Sequence, residues 1–294
     1  MSTRIAYLCV IFIWSTTPLA IQWSSAGVGI LFGVSARMLL GLFTAYTILY
    51  FSRQRFPWHS DALKTYLAAG LGIYTAMSCV YWASQYIPSG WISVVFGLSP
   101  IITGIMAYLV LREDALLPNK LLGMLLGVVG LLIIFDNSVE SGNDFVLGVS
   151  AVLAGTICHS LSAVVIKRIN ARLSGIASTA GGLTLAVPMF LVTWSIFEGQ
   201  MPVNIETRAL YAILYLGIIA SAIGFALYYY VLDRMEVSRV SLITLITPAC
   251  ALGLGKTFNG EIINPLIITG TVVIILGLVI YEYGQKFTGY LIKD

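Results

Sequence analysis

An internal repeat constrains the fold of this chain more than any other feature. Three residues recur 148 positions later: Tyr81, Pro100 and Glu113 return as Tyr229, Pro248 and Glu261. The tyrosine and proline are 19 residues apart and the proline and glutamate 13 residues apart in both copies. Two glycines seven residues apart also recur, as Gly123 and Gly130 and then as Gly270 and Gly277. The pattern predicts an internally duplicated chain.

Composition places the chain in a membrane. Of its 294 residues, 59% are hydrophobic and 10% are charged, whereas soluble domains average about 25% charged residues. Crossing a bilayer core about 30 Å thick takes roughly 20 helical residues. Ten apolar stretches approach or exceed that length: 5–23, 28–51, 65–86, 90–111, 119–136, 146–166, 174–197, 209–231, 238–258 and 262–284. The sequence predicts an all-α integral membrane protein with ten transmembrane helices.

The repeat divides these spans into two groups of five. Residues 1–140 hold spans 1 to 5, and residues 141–294 hold spans 6 to 10. Because five is odd, the second copy must begin on the opposite side of the membrane, so the halves are predicted to be inverted repeats. That architecture is typical of secondary transporters, in which related halves meet around a site near the midplane. Channels also use inverted repeats, so the architecture alone does not decide the function.

The loop charges predict the orientation, because Lys and Arg near span ends are retained on the cytoplasmic side. If the N-terminus is cytoplasmic, that side receives 13 of the 16 basic residues: Arg4, Arg53, Arg55, Lys64, Arg112, Lys120, Lys167, Arg168, Arg172, Arg234, Arg239, Lys286 and Lys293. Acidic residues collect on the other side: Asp136, Glu140, Asp144, Glu198, Glu206 and Glu261. Both termini are therefore predicted to be cytoplasmic.

Arg37 is the costliest residue to place in a bilayer, since it lies about 14 Å into the second span at about 1.5 Å per residue. A charge at that depth should face the protein interior and have a partner. No acidic residue falls at a matching depth in any span. Its predicted partners are carbonyls, hydroxyls or the carboxylate of a solute. A structural clamp on helix-end carbonyls fits the sequence as well as solute binding does.

His159 is the other titratable residue in mid-span. Its ordinary pKa of about 6.5 would let it carry a proton across the membrane, but lining a cavity or satisfying a hydrogen bond are alternatives. With Ser15 or Ser162 it also supplies the one candidate pair for an intramembrane enzyme. The sequence has no phosphate-binding loop and no HExxH motif, so no cofactor or metal is predicted.

Aromatic residues and prolines mark further candidates. Rings with polar tips inside the spans suit an aromatic or amphiphilic solute, or a cation held over a ring face, although core packing is an equal alternative. These rings belong to Trp14, Tyr74, Tyr81, Trp82, Tyr228 and Tyr229. Pro100 and Pro248 each remove a backbone donor in a predicted helix and should kink it. They are predicted to be matched hinges, or kinks that only shape packing.

Together these motifs resemble the drug/metabolite transporter superfamily, EamA type, over nearly the whole chain. The resemblance is carried by Trp14-Ser15, Ala36-Arg37, Tyr81-Trp82-Ala83, Ser93 to Pro100, Arg112-Glu113, Gly123 to Phe135, Lys167-Arg168, Tyr229-Tyr230, Thr247-Pro248 and Gly260-Glu261. It implies a ten-helix inverted-repeat fold with a central cavity lined mainly by spans 1, 3, 4, 6, 8 and 9. It also implies transport of small organic solutes, most often outward. His159 departs from the pattern, because an aromatic residue is common at that position.

The expected function is a secondary transporter, an exporter or exchanger of small organic metabolites, with amino acids or related compounds as the leading class. Nucleosides, sugars, choline-like cations and toxic amphiphiles are alternative solutes, and a channel or an intramembrane enzyme are alternative classes. The predicted substrate-binding residues are Trp14, Arg37, Tyr74, Tyr81, Trp82, His159, Tyr228 and Tyr229, with Pro100 and Pro248 as hinges. The expected partners are a small-molecule solute and the lipid bilayer of the inner (plasma) membrane, with no nucleic acid. The protein is expected to be a monomer or a homodimer.

Overall fold

A computed structural model describes residues 2–112, 118–136, 142–241, 243–262 and 265–291. These residues form helices joined by short connections. The helices are α1 Thr3–Ser25, α2 Ile30–Phe51, α3 Ser60–Ala83, α4 Ser89–Phe96, α5 Ser99–Leu111, α6 Pro118–Asp136, α7 Gly142–Ile169, α8 Gly175–Phe197, α9 Thr207–Tyr215, α10 Gly224–Arg234, α11 Val237–Val240, α12 Ile243–Asn259 and α13 Pro265–Leu291. A π-helical segment, Leu216–Ile223, joins α9 to α10.

Helices occupy all ten stretches predicted from the sequence. Six segments in the described part of the chain are long and apolar enough to cross a bilayer: Thr3–Ser25, Ile30–Phe51, Ser89–Leu111, Asp144–Ile169, Gly175–Phe197 and Thr207–Arg234. Large apolar side chains cover the outer surface, for example Phe12 (72% exposed), Phe43 (72%) and Leu109 (71%). A surface of this kind is suited to lipid and not to water. The chain is an all-helical membrane protein, as predicted.

The fourth predicted span is broken into two helices. Helix α4 ends at Phe96 and α5 begins at Ser99, so Pro100 lies in the first turn of α5. The missing N–H of a proline costs little there, because the first donors of a helix have no partner within it. The kink expected within one helix at Pro100 is therefore a break just before it. Pro248, by contrast, lies inside α12 as expected.

The two halves run in opposite directions. The proximal end of the bundle is the end at which α1 begins. The distal end is the opposite one, at which α1 ends and α2 begins. Helix α7, the first of the second half, begins at the distal end. At that end Gly148 of α7 packs against Ile87, which lies in the connection between α3 and α4. A Cβ added to Gly148 would lie 2.7 Å from Ile87 Cγ2. The predicted boundary between residues 140 and 141 lies outside the described residues, as does Glu113.

The repeated glycines bring the last helices of the two halves together. A Cβ added to Gly130 would lie 2.6 Å from the carbonyl oxygen of Gly270, and one added to Gly277 would lie 2.7 Å from that of Gly123. Close backbone contact of this kind stabilises helix pairs in lipid. Gly127, on the same helix, packs against α5. The glycine face of α6 therefore packs within the fold.

The main interface runs between the halves. Helix α3 packs on α7 and α8, α2 packs on α8, and α1 packs on α12. Because each of these pairs joins one half to the other, the core of the molecule lies where the halves meet. The same arrangement leaves a cavity between α1 to α4 of the first half and α7, the π-helical segment, α10 and α12 of the second.

Candidate functional site

A cavity of about 80 Å³ lies between the two halves. A space of this size has room for several water molecules or for part of a compact solute. Its walls come from α1 to α4 in the first half and from α7, the π-helical segment, α10 and α12 in the second. All six spans implied by the family resemblance line it, and Arg37 adds the second span. Its polar lining residues are Thr17, Arg37, Ser93, His159, Thr244 and Thr247.

Arg37 is almost fully buried, with 1% of its surface exposed. Its Nε donates to Ser221 Oγ at 3.1 Å, and its Nη1 donates a longer bond, 3.5 Å, to Tyr81 Oη. The hydroxyls of Tyr81 and Ser24 are 3.1 Å apart and share a hydrogen bond. Hydroxyls are among the partners predicted for this arginine, and one of them comes from the other half of the chain.

The π-helical segment explains how Ser221 reaches Arg37. A π-helical turn is wider than an α-helical one and is frequent at functional sites. Ser221 is the one hydroxyl-bearing residue in Leu216–Ile223, and it is fully buried. Helix α2, which carries Arg37, passes close to Ser221. A Cβ added to Gly41 of α2 would lie 2.8 Å from Ser221 Cβ. The π-helical segment thus places the Ser221 hydroxyl next to the guanidinium of Arg37 on α2.

No carboxylate neutralises Arg37 in the described part of the chain. The ion pairs found there join exposed or half-exposed side chains: Lys64 with Asp61, Arg234 with Asp233, and Arg239 with Glu236. A guanidinium carries five N–H donors, and Ser221 and Tyr81 accept from two of them. The cavity wall therefore carries a buried positive charge, and the remaining N–H donors of Arg37 have no acceptor among the described residues.

Three rings form an aromatic cluster on the proximal side of the cavity. The Trp14 and Tyr228 ring centroids are 5.0 Å apart, and His159 lies 5.6 Å from Trp14 and 5.2 Å from Tyr228. Tyr229 packs edge-on against Tyr228 at 5.3 Å. Trp14 and His159 also line the cavity, whereas Tyr228 lines smaller spaces beside it. Four of the predicted binding residues are thus brought together.

His159 makes no hydrogen bond to any residue that the structure describes. Ser15 Oγ donates to the carbonyl oxygen of Ile11 at 2.8 Å, and Ser162 Oγ donates to that of Ala68 at 2.9 Å. Neither serine is therefore activated by the imidazole, and the pair considered for an intramembrane enzyme is not formed. The imidazole nitrogens remain available to a solute in the cavity.

Tyr74 and Trp82 lie apart from the cavity lining. Tyr74 shares a 2.7 Å hydrogen bond with Thr193 and packs against Phe190, both on α8. Trp82 is 38% exposed and packs against Tyr86. Val80 lines the cavity, and Trp82 lies two residues, or about 200° of rotation, beyond it on the same helix. Helical geometry therefore turns Trp82 towards the outer surface.

Several polar residues at or beside the cavity were not predicted from the sequence. They are Thr17, Ser221, Thr244 and Thr247. Thr17 follows Trp14 by three residues, and Thr244 and Thr247 are also three residues apart, so each pair shares one helix face. That spacing was a usable signal. Ser221 carried none beyond being a hydroxyl within an apolar run.

Two carboxylates of the second half bind helix starts of the first half at the distal end. Glu261 accepts from Ser89 N at 3.0 Å, Ser89 Oγ at 2.6 Å and Gly90 N at 3.2 Å, where α4 begins. Glu198 accepts from the backbone N–H groups of Leu31 and Phe32, both at 3.0 Å, where α2 begins. Anionic groups are favoured at helix N-termini. These contacts hold the halves together on the distal side of the cavity.

Known sequences resemble this chain over nearly its whole length. The EamA-like transporter family matches residues 1–136 and 146–282. The uncharacterized transporter YoaV of Bacillus subtilis is 25% identical over 283 residues, covering 95% of this chain and 96% of that protein. A probable amino-acid metabolite efflux pump of Salmonella typhimurium is 23% identical over 289 residues, covering 95% and 94%. A protein of the same description from Escherichia coli is 22% identical over 290 residues, covering 95% and 94%.

A solved crystal structure has the same fold. It superposes with a TM-score of 0.72 at 17% sequence identity, over 96% of this chain and 97% of that chain. At that identity the likeness concerns the fold alone.

Proposed function

The chain belongs to the EamA-like transporter family, and we propose that it is a secondary carrier for amino acids or related small metabolites. Membership in this family makes it a transporter of a small-molecule solute and not an enzyme. Carriers built from inverted repeats expose a site near the midplane to each side in turn, as one half rocks against the other. In the proposed motion, the first half of the chain rotates relative to the second half.

The cavity between the halves is the observation that carries this proposal. Its walls and its polar groups come from both halves, and Arg37 of one half is bonded to Ser221 of the other. A relative rotation of the halves therefore changes the shape of the cavity and its access. A solute bound there contacts both halves, so its binding energy can be coupled to their motion.

Amino acids and their relatives are the first candidates for the solute. Proteins similar to this chain are described as probable amino-acid metabolite efflux pumps. The rings of Trp14, Phe96 and Phe225 offer an apolar surface in the cavity, and Arg37 offers a charge. Such a lining suits a compact molecule with one charged end and an apolar body. We propose Trp14, Arg37 and His159 as solute contacts, with Tyr81, Tyr228 and Tyr229 supporting them.

We propose that the proximal end faces the cytoplasm of a bacterial-type cell and that transport is outward. Basic residues cluster at the proximal end, for example Lys167, whose Nζ donates to the carbonyl oxygens of Leu232 and Asp233. The acidic Glu198 and Glu261 lie at the distal end. The positive-inside rule supports this orientation in the inner membrane.

The break before Pro100 and the proline of α12 are proposed as matched hinges. A Cβ added to Gly97, in the break between α4 and α5, would lie 3.4 Å from Pro248 Cγ. The two interruptions of regular helix therefore face each other across the interface between the halves. Bending at both points would let α4 and α12 tilt without breaking the rest of the bundle.

Counterflow in proteoliposomes tests the carrier function. The purified protein is reconstituted, and uptake of labelled amino acids, nucleosides, sugars and quaternary amines is measured with and without the same unlabelled solute inside. For at least one solute, we expect uptake that saturates with concentration and is accelerated by internal solute. A reconstituted Trp82→Ala variant serves as the control and should match the wild-type protein. Flux that rises linearly and ignores internal solute would indicate a channel and overturn the proposal.

A further inference from the structure

Resting on the carrier function proposed above, we propose that the solute reaches the cavity through two entrances, one at each end of the bundle. Corresponding parts of the two halves build these entrances. The distal entrance is open in this structure and the proximal one is closed. Lys167 is the positioning residue that holds the proximal entrance closed, and the two entrances open in turn because their walls share two helix pairs.

The distal entrance is a space of about 360 Å³, named here the distal vestibule. It lies at the ends of α1 and α3 and at the start of α2, which all belong to the first half, and Glu198 of the second half completes its wall. Its lining includes Gln22, Ser25, Ile30, Ser84, Gln85 and Glu198. The volume falls in the range of small-molecule sites, about 300–1,000 Å³.

The distal vestibule lies directly beyond the cavity. Ile21 and Val80 line the cavity. Ser25 and Ser84, which follow them by four residues, line the vestibule. Four residues cover about 6 Å along a helix and return to nearly the same face. The cavity and the distal vestibule therefore follow each other along one side of α1 and α3.

The proximal vestibule, of about 30 Å³, is built by the second half in the same way. It lies at the ends of α7 and α10 and at the start of α8, and Thr65 of the first half completes its wall. Ser84 and Gln85 of the distal vestibule correspond, 148 positions later, to Leu232 and Asp233 of the proximal one. Its lining also includes Ile166, Lys167, Asn170 and Ser178. Corresponding spaces of unequal size are expected when inverted halves open to one side at a time.

Tyr229 lies between the proximal vestibule and the cavity. It lines the vestibule and also a smaller space beside it, which His159 and Phe225 share with the cavity. Its side chain is buried, with 6% of its surface exposed. A route from the cavity to the proximal surface therefore runs past Tyr229 along α10, and in this structure the packed ring interrupts it.

Lys167 ties together the two helix ends that form the proximal vestibule. Its Nζ, at the end of α7, donates to the carbonyl oxygens of Leu232 at 2.9 Å and Asp233 at 3.2 Å, in the last turn of α10. A cation is favoured there, because the last carbonyls of a helix have no partner within it. At the distal end, the neutral Gln22 Nε2 donates to the carbonyl oxygen of Ile87 at 3.0 Å, beyond the end of α3. Since charged donors make stronger hydrogen bonds, the tie at the proximal vestibule is the firmer one.

Two helix pairs connect the entrances. Helix α3 packs on α7, and α1 packs on α10. The distal vestibule lies between α1 and α3, and the proximal vestibule lies between α7 and α10. If the α3–α7 pair tilts against the α1–α10 pair, one vestibule narrows while the other widens. This tilt accompanies the proposed rotation of the halves, and a tie between α7 and α10 favours the state in which the distal vestibule is open.

Thiol labelling in lipid nanodiscs tests which entrance is open, because both faces of a nanodisc are in contact with solvent. Ser84→Cys reports on the distal vestibule and Ser178→Cys on the proximal one, each in a protein whose four native cysteines are replaced by alanine. Both changes exchange only oxygen for sulfur. We expect a water-soluble maleimide to react about tenfold faster with the Ser84→Cys variant, since Ser178 is only 4% exposed. Equal rates, or a faster reaction of the Ser178→Cys variant, would overturn the inference.

Lys167→Met tests the tie, because methionine has a similar shape but no charge and no donor. Loss of the charged hydrogen bonds should shift the equilibrium between the two states about tenfold. Starting from a ratio of about ten to one, that shift speeds labelling of the Ser178→Cys variant about fivefold and slows that of the Ser84→Cys variant about twofold. A merely structural role would loosen the proximal end and leave the distal rate unchanged, and that result would overturn the inference. Lys167→Arg keeps the charge and should restore both rates.

Arg168→Met is the matched control. Arg168 is exposed and next along the chain, but it does not line the vestibule, so its replacement should change neither rate. Equal effects of Arg168→Met and Lys167→Met would mean that the charge of the proximal end, and not the tie, sets the balance, which would overturn the role of Lys167. If Lys167→Met does not fold, Lys167→Gln is measured in the same way, and the comparison of the two cysteine variants stands by itself.

The inference and the carrier function fail in different ways. If the two labelling rates change in opposite directions but no solute shows saturable counterflow, the entrances are correct and the carrier function is wrong. If a solute shows saturable counterflow but the two rates do not change in opposite directions, the carrier function holds and the entrances are wrong.

Discussion

Corresponding positions in the two halves have different surroundings. Tyr81 and Tyr229 occupy the same place in the repeat, yet the Tyr81 hydroxyl bonds Ser24 and Arg37, whereas the Tyr229 ring packs against Tyr228. The reason is Arg37, because the residue 148 positions later is Leu185, which is 39% exposed. Duplication therefore preserved the course of the helices while the chemistry diverged. The first half supplies the cavity charge, and the second half supplies most of the rings beside it.

The largest expected effect is the difference between replacing Trp14 and replacing Trp82, two tryptophans of the first half. Trp14→Ala removes a ring packed against His159 and Tyr228, so we expect a loss of about 3 kcal/mol in the free energy of unfolding and loss of transport. Trp82→Ala should cost less than about 1 kcal/mol, since its ring faces outward. Thermal unfolding in detergent and counterflow measure both. Equal effects of the two changes would mean that the aromatic cluster is not part of the site.

Removing one hydroxyl from each half tests the comparison directly. Tyr81→Phe leaves Ser24 and Arg37 short of a partner in a buried place, which should cost about 1–3 kcal/mol. Tyr229→Phe should cost less than about 0.5 kcal/mol, because its ring packs against Tyr228 and no hydrogen bond of its hydroxyl is found among the described residues. The measurement is the melting temperature of each purified variant. A larger loss for Tyr229→Phe would reverse the proposed asymmetry.

A smaller difference in stability is expected between variants of Glu261 and Glu198, the two carboxylates at the distal end. Glu261 accepts three hydrogen bonds from Ser89 and Gly90, and Glu198 accepts two from the start of α2. Neutralising either weakens its interaction with a helix N-terminus by about 0.3–1 kcal/mol. We expect Glu261→Gln to lower the melting temperature more than Glu198→Gln. The opposite order would mean that the start of α2, and not that of α4, is the stronger tie between the halves.

The smallest effect concerns the proposed hinge. In Gly97→Ala the new Cβ would lie 2.8 Å from the Val94 carbonyl oxygen and 3.4 Å from Pro248 Cγ. We expect a slower maximal transport rate, by about twofold or ~0.4 kcal/mol, with solute affinity unchanged. Gly253→Ala is the matched control, because nothing lies within 4 Å of its added Cβ. If both variants transport at the wild-type rate, the break before Pro100 is not a hinge.

Much of the fold could be predicted from the sequence, because span length and loop charge are properties of the chain itself. The ten stretches match the helical segments to within about five residues at every end but one, since α13 ends at Leu291 and not at the predicted 284. The break between Phe96 and Ser99 and the π-helical Leu216–Ile223 were not predicted. Both depend on how neighbouring helices pack, which a hydropathy pattern does not contain.

The site was predictable in composition more than in arrangement. Arg37 stood out because a charge in mid-span needs a reason, and hydroxyl partners were among those expected. Tyr74 and Trp82 were grouped with the cavity by depth alone, although rotation about the α3 axis places them elsewhere. Ser221 could not be selected, since its role comes from the π-helical turn that presents it to Arg37.

Thiol labelling can show whether the cavity between the halves opens to each side of the membrane in turn. Thr17→Cys is introduced after the native Cys9, Cys79, Cys158 and Cys250 are replaced by alanine. A membrane-impermeant maleimide is then applied to vesicles of each orientation, with and without a transported solute. We expect labelling from both sides, and a solute-dependent change in the balance between them. Labelling from one side alone, whatever the solute, would contradict alternating access through this cavity.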